Sequence, residues 1–317
     1  MVERVDAFAH ALPERFKDEM ADIHPTEELM DMSDSTHMWD VEHRLSDMDE
    51  FGIDRQCIML SRSTIWRGLD PEDALPLARL ANDTMVELAD QSDRLVPVAT
   101  IPRVDDDFVE EFRRCVEDLG MAGAQIFSNV EGQPIDTEEF HPLYEEAERL
   151  DAPLWVHPQL SEWYPWAEEY GNDKIFGWLF DTSLALARLV FSGTMQEYPD
   201  LKIIPHHMGA MIPFFEQRIE TFTEAYSHLD YADLDEPMLE YFRRFYPDTA
   251  VNGSVQALEC GIEFFGSDQV VFGTDYPFGP NQGRTWMRET VRSVGEADLD
   301  DADRTAILHE NIEDLIA

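Results

Sequence analysis

The segment 153–158 reads Pro-Leu-Trp-Val-His-Pro, in which a short apolar run is followed by His157 and Pro158. Similar runs, rich in Val and Ile, alternate along the chain with longer amphipathic stretches. This alternation is typical of repeated βα units around a buried parallel sheet. We therefore predict an α/β fold, a (β/α)8 TIM barrel, whose functional groups lie at the C-terminal ends of the strands.

Eight strands and several helices follow from this pattern, within a single domain over residues 1–317. The predicted strands are 4–8, 56–61, 95–101, 123–127, 153–157, 202–206, 249–253 and 269–273, and the predicted helices include 41–51, 74–91, 105–119, 138–150 and 212–226. Two irregular regions, 13–36 and 158–174, are predicted as loop insertions. The second contains Trp163, Tyr164, Trp166 and Tyr170, which either wall a pocket or form a satellite hydrophobic cluster.

The chain is strongly acidic, with a formal net charge of −44 at pH 7 and only three lysines, Lys17, Lys174 and Lys202. Aromatic residues make up 11% of the chain, which disfavours a disordered acidic protein. Dispersed surface carboxylates repel one another and need salt to screen them, so we predict a halophilic protein. Nucleic acid is excluded as a partner because its phosphates would be repelled.

Three widely spaced cysteines, Cys57, Cys115 and Cys260, form no Cys-x-x-Cys pair. This pattern argues against a disulfide framework and indicates core thiols in a reducing compartment. No apolar run approaches the roughly 18 residues of a membrane span. We therefore predict a cytoplasmic protein without a membrane partner.

Ligand-type side chains fall at several predicted strand ends. His10 follows the first strand, His157 ends the fifth, His206 and His207 end the sixth, and Asp275 follows the eighth. Imidazole and carboxylate groups are ligands for zinc, manganese or iron. A lone histidine is more often a structural residue, so the prediction depends on several such residues occurring together at the strand ends. Adjacent strand residues point in opposite directions, so we expect only one of His206 and His207 to face the barrel mouth.

Several motifs together resemble one known family. They are Val-Asp-Ala-Phe-Ala-His-Ala-Leu-Pro (5–13), Trp-Val-His-Pro (155–158), Tyr-Pro-Asp-Leu-Lys (198–202), His-Met-Gly-Ala (207–210) and Phe-Gly-Thr-Asp-Tyr-Pro-Phe (272–278). In these motifs the chain resembles the amidohydrolase-related (amidohydrolase 2) family, typified by aminocarboxymuconate-semialdehyde decarboxylase and γ-resorcylate-type decarboxylases. The resemblance implies that His10, His157 and Asp275 are metal ligands. It also implies that His207, together with Asp275, acts in catalysis.

Two positions depart from the family pattern. Phe8 replaces the first histidine of the family's His-x-His motif, where the aromatic-acid decarboxylases commonly keep a glutamate. Phenylalanine cannot coordinate a metal, so the ion either keeps three protein ligands plus water or has been lost. The stretch 31–40 also lacks an arginine to match the substrate-carboxylate arginine of the semialdehyde decarboxylase.

The resemblance implies a divalent metal, with zinc expected and manganese or iron as alternatives. The leading hypothesis is a metal-dependent carbon–carbon lyase, a decarboxylase of a small carboxylated substrate. One alternative is a metal-dependent hydrolase of a lactone, amide or ester, and a second is a non-catalytic small-molecule-binding barrel. The resemblance also implies a homodimer, for which the C-terminal segment 286–317 offers apolar positions.

Overall fold

The computed structural model describes residues 2–26, 29, 35–61, 63–159 and 169–317. The predicted pocket aromatics at 163, 164 and 166 lie outside these residues. Nine strands are assigned within the described ranges. They are β1 (Val5–Ala11), β2 (Arg55–Leu60), β3 (Leu95–Pro97), β4 (Ala99–Thr100), β5 (Ala124–Phe127), β6 (Asn129–Val130), β7 (Gln133–Pro134), β8 (Leu154–His157) and β9 (Ile203–Pro205).

Parallel pairing joins the barrel strands in the orders β1-β2-β3 and β4-β5-β8-β9. Two further backbone segments, around Asp248 and Val271, complete the ring of the barrel. The amide of Tyr246 donates to Ile203 O, Asp248 and Val271 form a parallel bridge, and the amide of Ala7 donates to Phe272 O. The predicted TIM-barrel fold is therefore confirmed, with its seventh and eighth strands reduced to short bridged segments.

Helices pack outside this ring. They are α1 (Glu14–Ile23), α2 (Val41–Phe51), α3 (Pro71–Ala89), α4 (Asp106–Glu117), α5 (His141–Leu150), α6 (Trp178–Phe191), α7 (Thr194–Glu197), α8 (Glu216–Ala225), α9 (Met238–Phe242), α10 (Val255–Phe265), α11 (Arg284–Glu296), α12 (Asp301–Thr305) and α13 (Asn311–Ile316). Side-chain caps set several starts: Asp40, Asp105 and Ser254 each accept a hydrogen bond from an amide in the first turn. None of the described helices combines the length and apolarity needed to cross a bilayer.

The structure corrects three sequence-based expectations about elements. Residues 14–23 form α1 instead of part of a loop insertion, and its Phe16 and Met20 are buried. The seventh strand does not occupy 249–253; its ladder contact is at Asp248, directly before that range. Strand eight is not continuous over 269–273; isolated parallel bridges join it to its neighbours at Val271 and, beyond that range, at Tyr276. Short bridged segments give a weak hydrophobic pattern, which explains the one-residue error.

Alternate strand residues divide the core into two layers. Ile58, Leu60, Leu154 and Val156 pack toward the helices, whereas the intervening residues fill the barrel interior. The interior set includes Val5, Cys57, Met59, Val98, Trp155, Ile204 and Val271. The indole of Trp155 donates to Ala7 O at 2.8 Å, which satisfies the polar atom of the largest interior side chain. This filled interior supports the rim where the functional side chains lie.

The C-terminal segment serves the core of the same chain. Met287, Val294, Ile307, Ile312 and Leu315 are all buried. The expectation that this segment supplies a dimer interface is therefore not supported by these positions, because their side chains already pack within the subunit. Two of the cysteines are buried as expected, but Cys260 is exposed.

Candidate metal centre

Two rim residues come from opposite ends of the chain. His10 lies on β1 and is fully buried, and its Nε2 is 3.3 Å from Oδ1 of Asp275. The backbone ties the two segments together, since the amide of Asp275 donates to Phe8 O at 3.0 Å and that of His10 to Tyr276 O at 2.6 Å. Asp275 adopts φ of 63°, a left-handed conformation that turns the chain at this point.

A third donor comes from the end of β9. His206 is 1% exposed, and its Nε2 is also 3.3 Å from Asp275 Oδ1. The ligand atoms of His10, His206 and Asp275 all lie within 4.8 Å of one another, and all three residues are buried. Neither Nε2 atom has a well-formed hydrogen-bond partner among the described residues. Two imidazole nitrogens therefore converge on one carboxylate oxygen, and neither nitrogen is engaged in a hydrogen bond within the described part of the chain. Such a set of donor atoms is suited to a divalent cation.

His157, at the end of β8, borders the same group. Its ring centroid is 5.2 Å from that of His10 and 5.9 Å from that of His206. Its Nδ1 donates to Pro158 O at 2.7 Å, which leaves Nε2 as the nitrogen available for a ligand. Its role as a metal ligand stays a prediction.

The two adjacent histidines both line the same cavity. The expectation that only one would face the barrel mouth is therefore wrong. His207 has φ of 57°, outside strand geometry, so the alternation of side chains breaks there. The two rings lie with centroids 3.6 Å apart, and the amide of His207 donates to Asp248 Oδ1 at 3.0 Å.

The buried charges shift one another's proton affinity. Burial opposes ionisation of Asp275, but His10 and His206 outweigh it and hold the pKa of that carboxyl well below its usual range. Burial likewise opposes charge on His206, yet Asp248 and Asp275 raise the pKa of its imidazole to about 9. Burial and the neighbouring His206 lower the pKa of His207 to about 3. Such divergent values on neighbouring groups are typical of functional sites.

A cavity of about 730 Å³ opens above these residues. Its walls are largely apolar, and they include Trp178, Leu179, Met208, Phe214, Phe278 and Trp286. Among the described lining residues, Lys174 is the one lysine or arginine. A concave, apolar cavity of this size with a few converging polar groups is the usual form of a small-molecule site.

Two residues of this centre, His206 and Asp248, are not predicted from the sequence. The family motif assigns a role to His207 alone, although the adjacent His-His pair is itself a signal. Asp248, fully buried beside His206, was missed because the seventh strand was placed one residue too late. A carboxylate at a strand end could have been found had that strand been placed correctly.

Comparisons with known proteins identify the family of this chain. The model of the amidohydrolase family matches residues 5–316. A γ-resorcylate decarboxylase from Rhizobium sp. (strain MTP-10005) is 31% identical over 289 residues, covering 82% of this chain and 85% of its own length.

Solved structures agree in fold. A crystal structure of 2,6-dihydroxybenzoate decarboxylase complexed with 2,6-dihydroxybenzoate superposes with a TM-score of 0.85 at 26% identity, covering 100% of this chain and 99% of its own. A dihydroxybenzoic acid decarboxylase from Polaromonas sp. JS666, with bound manganese and the inhibitor 2-nitroresorcinol, gives 0.84 at 24% identity, covering 100% and 97%. The chain therefore belongs to the amidohydrolase family.

Proposed function

We propose that this protein is a metal-dependent decarboxylase of a small aromatic carboxylate. The observation that carries the proposal is the convergence of buried imidazole and carboxylate ligand atoms beneath an apolar cavity. Relatives named as decarboxylases of dihydroxybenzoates support the predicted enzyme class. A divalent ion held by His10, Asp275 and the predicted ligand His157 would stabilise negative charge that develops on the substrate. Manganese is present in a similar fold, so we propose manganese as readily as the zinc expected from sequence.

The cavity suits the substrate class. Its lining is largely apolar, as an aromatic ring requires, and the ring of Phe278 lies 5.1 Å from that of His10, beside the centre. Lys174 offers a cation to a carboxylate or phenolate at the mouth. Exclusion of water by these walls would strengthen every electrostatic interaction inside the cavity.

His207 is the residue that we assign to proton transfer. Decarboxylation adds a proton to the ring carbon that bears the carboxylate; the carbon–carbon bond then breaks, CO2 leaves, and the bonding electrons remain with the ring. Burial and the neighbouring His206 lower the pKa of the His207 ring to about 3, so the imidazole is neutral at pH 7 and would relay a proton to the ring carbon instead of storing one. Its Nδ1 has no hydrogen-bond partner among the described residues, and its ring lines the cavity. Asp275 stays ionised and orients His10 and His206.

The test is CO2 release from a panel of hydroxybenzoic acids by metal-loaded protein in concentrated salt. We expect CO2 and the decarboxylated phenol, at a rate that falls by about 10²- to 10⁴-fold in His207→Gln, the usual contribution of a proton-transferring side chain. His141→Gln is the matched control because His141 is partly exposed on α5 and does not line the cavity. Substrates carrying lactone, amide or ester bonds are assayed in ¹⁸O-water, and label in an acid product without CO2 release would support the hydrolase instead.

A homodimer is our proposal for the assembly, with a different surface from the one expected. Large apolar side chains are exposed on the segment before α6, on α6 and around α8; they are Ile175, Phe176, Phe180, Leu184, Phe214, Phe222, Tyr226 and Leu229. Ile175 and Phe214 also line the cavity. Exposed apolar patches on an otherwise acidic protein mark interaction sites. Sedimentation in concentrated salt tests this, and a monomer would contradict it.

The acidic surface and free thiols lead to two related proposals. We propose adaptation to high salt from the net charge of −44, and a reducing cytoplasm because Cys57 and Cys115 are buried free thiols. Loss of fold at low salt tests the first. Location of the native protein by cell fractionation tests the second.

A further inference from the structure

Phe8 occupies the middle of the histidine group without offering a ligand atom. Its ring is fully buried, 5.6 Å from the ring of His10 and 6.3 Å from that of His157. The register of β1 is irregular between Asp6 and Ala9, and the ring distances place the side chain of Phe8 beside that of His10 at the centre. A side chain at this position is therefore next to the cation site, and phenylalanine supplies only a packing surface.

His206 is stacked on that surface. The two rings lie 3.9 Å apart with an interplanar angle of 11°. The stack leaves the edge of the imidazole free, and its Nε2 points to the oxygen of Asp275 that His10 also approaches. Since His206 is 1% exposed, water cannot satisfy this nitrogen from bulk solvent.

Asp248 holds the other nitrogen of His206. Its Oδ2 accepts a short hydrogen bond from Nδ1 of His206, and its Oδ1 accepts from the amides of His207 at 3.0 Å and Ala250 at 2.8 Å. The carboxylate is fully buried, so these bonds fix its position. A carboxylate on the remote nitrogen of an imidazole is the usual support for a metal-bound histidine, because it fixes the tautomer and raises ligand basicity.

Gly273 permits this arrangement. A Cβ at this position would lie 2.8 Å from the Cβ of Asp248 and 3.2 Å from the Cβ of Phe8. Phe8 and Asp248 therefore approach the eighth barrel segment from two sides, where a side chain would separate them. Gly273 thus allows both the Phe8 ring on which His206 stacks and the Asp248 carboxylate that orients His206 to approach the same point of the backbone.

We propose that His206 is a ligand of the metal, that Asp248 is its positioning residue, and that the ring of Phe8 seats it. The inference rests on the metal site of the proposed function, but not on the reaction. In this chain His206, at the end of β9, then supplies a ligand atom that Phe8 on β1 cannot supply. His207, although adjacent, remains outside the ligand set.

The first measurement uses wild-type protein. Metal is removed with a chelator in concentrated salt and replaced by Co(II), and the exchangeable N–H protons of bound imidazoles are observed by paramagnetic proton NMR. We expect a shifted N–H resonance from His206, protected from exchange by Asp248, in addition to those of the other histidine ligands. His206→Gln should remove that resonance and His207→Gln should keep it. A spectrum that is unchanged in His206→Gln would overturn the proposal.

The second measurement is affinity for Co(II) and Mn(II), with stoichiometry by elemental analysis. Asp248→Asn should weaken binding by about 10- to 100-fold, as expected for loss of a partner behind a ligand. His206→Gln should weaken it by more, whereas His207→Gln should leave it within a few-fold. In His206→Gly, added imidazole should restore the Co(II) absorption spectrum. Imidazole can replace a missing ligand but cannot repair a disturbed fold. Restoration of the spectrum would therefore show that the variant lost metal because it lost the ligand.

A double variant asks whether positions 8 and 206 exchange roles. Because their rings are in stacked contact, Phe8→Glu combined with His206→Ala puts a carboxylate in the same region, and affinity should recover relative to His206→Ala alone. Metal bound equally well by wild type and His206→Gln would reject His206 while leaving the proposed function standing. Wild-type protein that binds no metal would reject both. Metal binding that depends on His206, without decarboxylation, would reject the proposed reaction alone.

Discussion

The carboxylate of Glu111 on α4 is the most heavily bonded buried charge of the helical layer. Its side chain has no exposed surface. It accepts hydrogen bonds from Arg79 Nε at 3.2 Å, from Arg114 Nε and Nη2 at 2.8 Å each, from Asn82 Nδ2 at 2.9 Å and from Cys115 Sγ at 3.3 Å. Asn82 in turn accepts from the amide of Thr100 on β4 at 2.7 Å. Glu111 therefore ties α3 and α4 to the barrel.

We predict that Glu111→Gln lowers the melting temperature by about 4 to 7 °C. The substitution places an amide donor against arginine donors, and breaking a buried charged network by changing one partner costs about 3 to 5 kcal/mol. The entropy of unfolding is about 2.1 cal/mol/K per residue, which for 317 residues gives about 0.7 kcal/mol/K. Dividing the cost by this entropy gives the predicted shift.

Scanning calorimetry at pH 7 in concentrated salt measures the shift, with Glu87→Gln as the matched control. Glu87 pairs with Arg15 at 3.0 Å, but both side chains are more than half exposed. Such a pair contributes about 0 to 1 kcal/mol, so this control should move the melting temperature by about 1 °C or less. Equal shifts in the two variants would refute the reasoning that burial makes the Glu111 network strong.

The pH dependence of the Glu111 effect follows from its lowered pKa. Burial opposes ionisation, but Arg114 and Asn82 outweigh it and lower the pKa of this carboxyl. A folded-state pKa below the unfolded value, about 4.3 for glutamate, means that its stabilisation is present above that pH. It is lost as the pH falls through the folded pKa. The difference between wild type and Glu111→Gln should therefore shrink in acid, and a difference that grows there would contradict the sign.

Three further outcomes are expected. Adding Mn(II) at about 100 times its Kd to chelator-treated protein should raise the melting temperature by about 4 °C, since ligand binding of this strength contributes about 2.7 kcal/mol; no shift in a fluorescence melt would argue against a metal site. Gly261→Ala should destabilise by about 1 to 3 kcal/mol in denaturant titration, because its Cβ would lie 2.2 Å from Cγ of Met208, whereas Gly295→Ala meets nothing within 4 Å and should be neutral or stabilising. Lowering the salt from about 2 M to 0.1 M should lower the melting temperature, because the screening length rises from a few Å to about 10 Å; a melt that is insensitive to salt would reject halophilic adaptation.

The first six strands were predictable because each is an apolar run buried on both faces. The fifth, for example, was predicted at 153–157 and is observed at Leu154–His157. Helix 41–51 was predicted with the observed bounds, since Asp40 caps its start and Gly52, at φ of 66°, ends it. The bounds of the last two strands were wrong, because segments joined by isolated bridges need little hydrophobic pattern.

The amino-acid sequence by itself determined the barrel, the family and the presence of ligand-type residues at its C-terminal rim, because periodic burial and short motifs are local properties. Which histidine turns toward Asp275 was decided only by the tertiary structure. A left-handed backbone at His207 breaks strand alternation, and Asp248, distant in sequence, holds His206 against the ring of Phe8. These choices depend on contacts between segments far apart in the chain, which no pattern along one segment can specify.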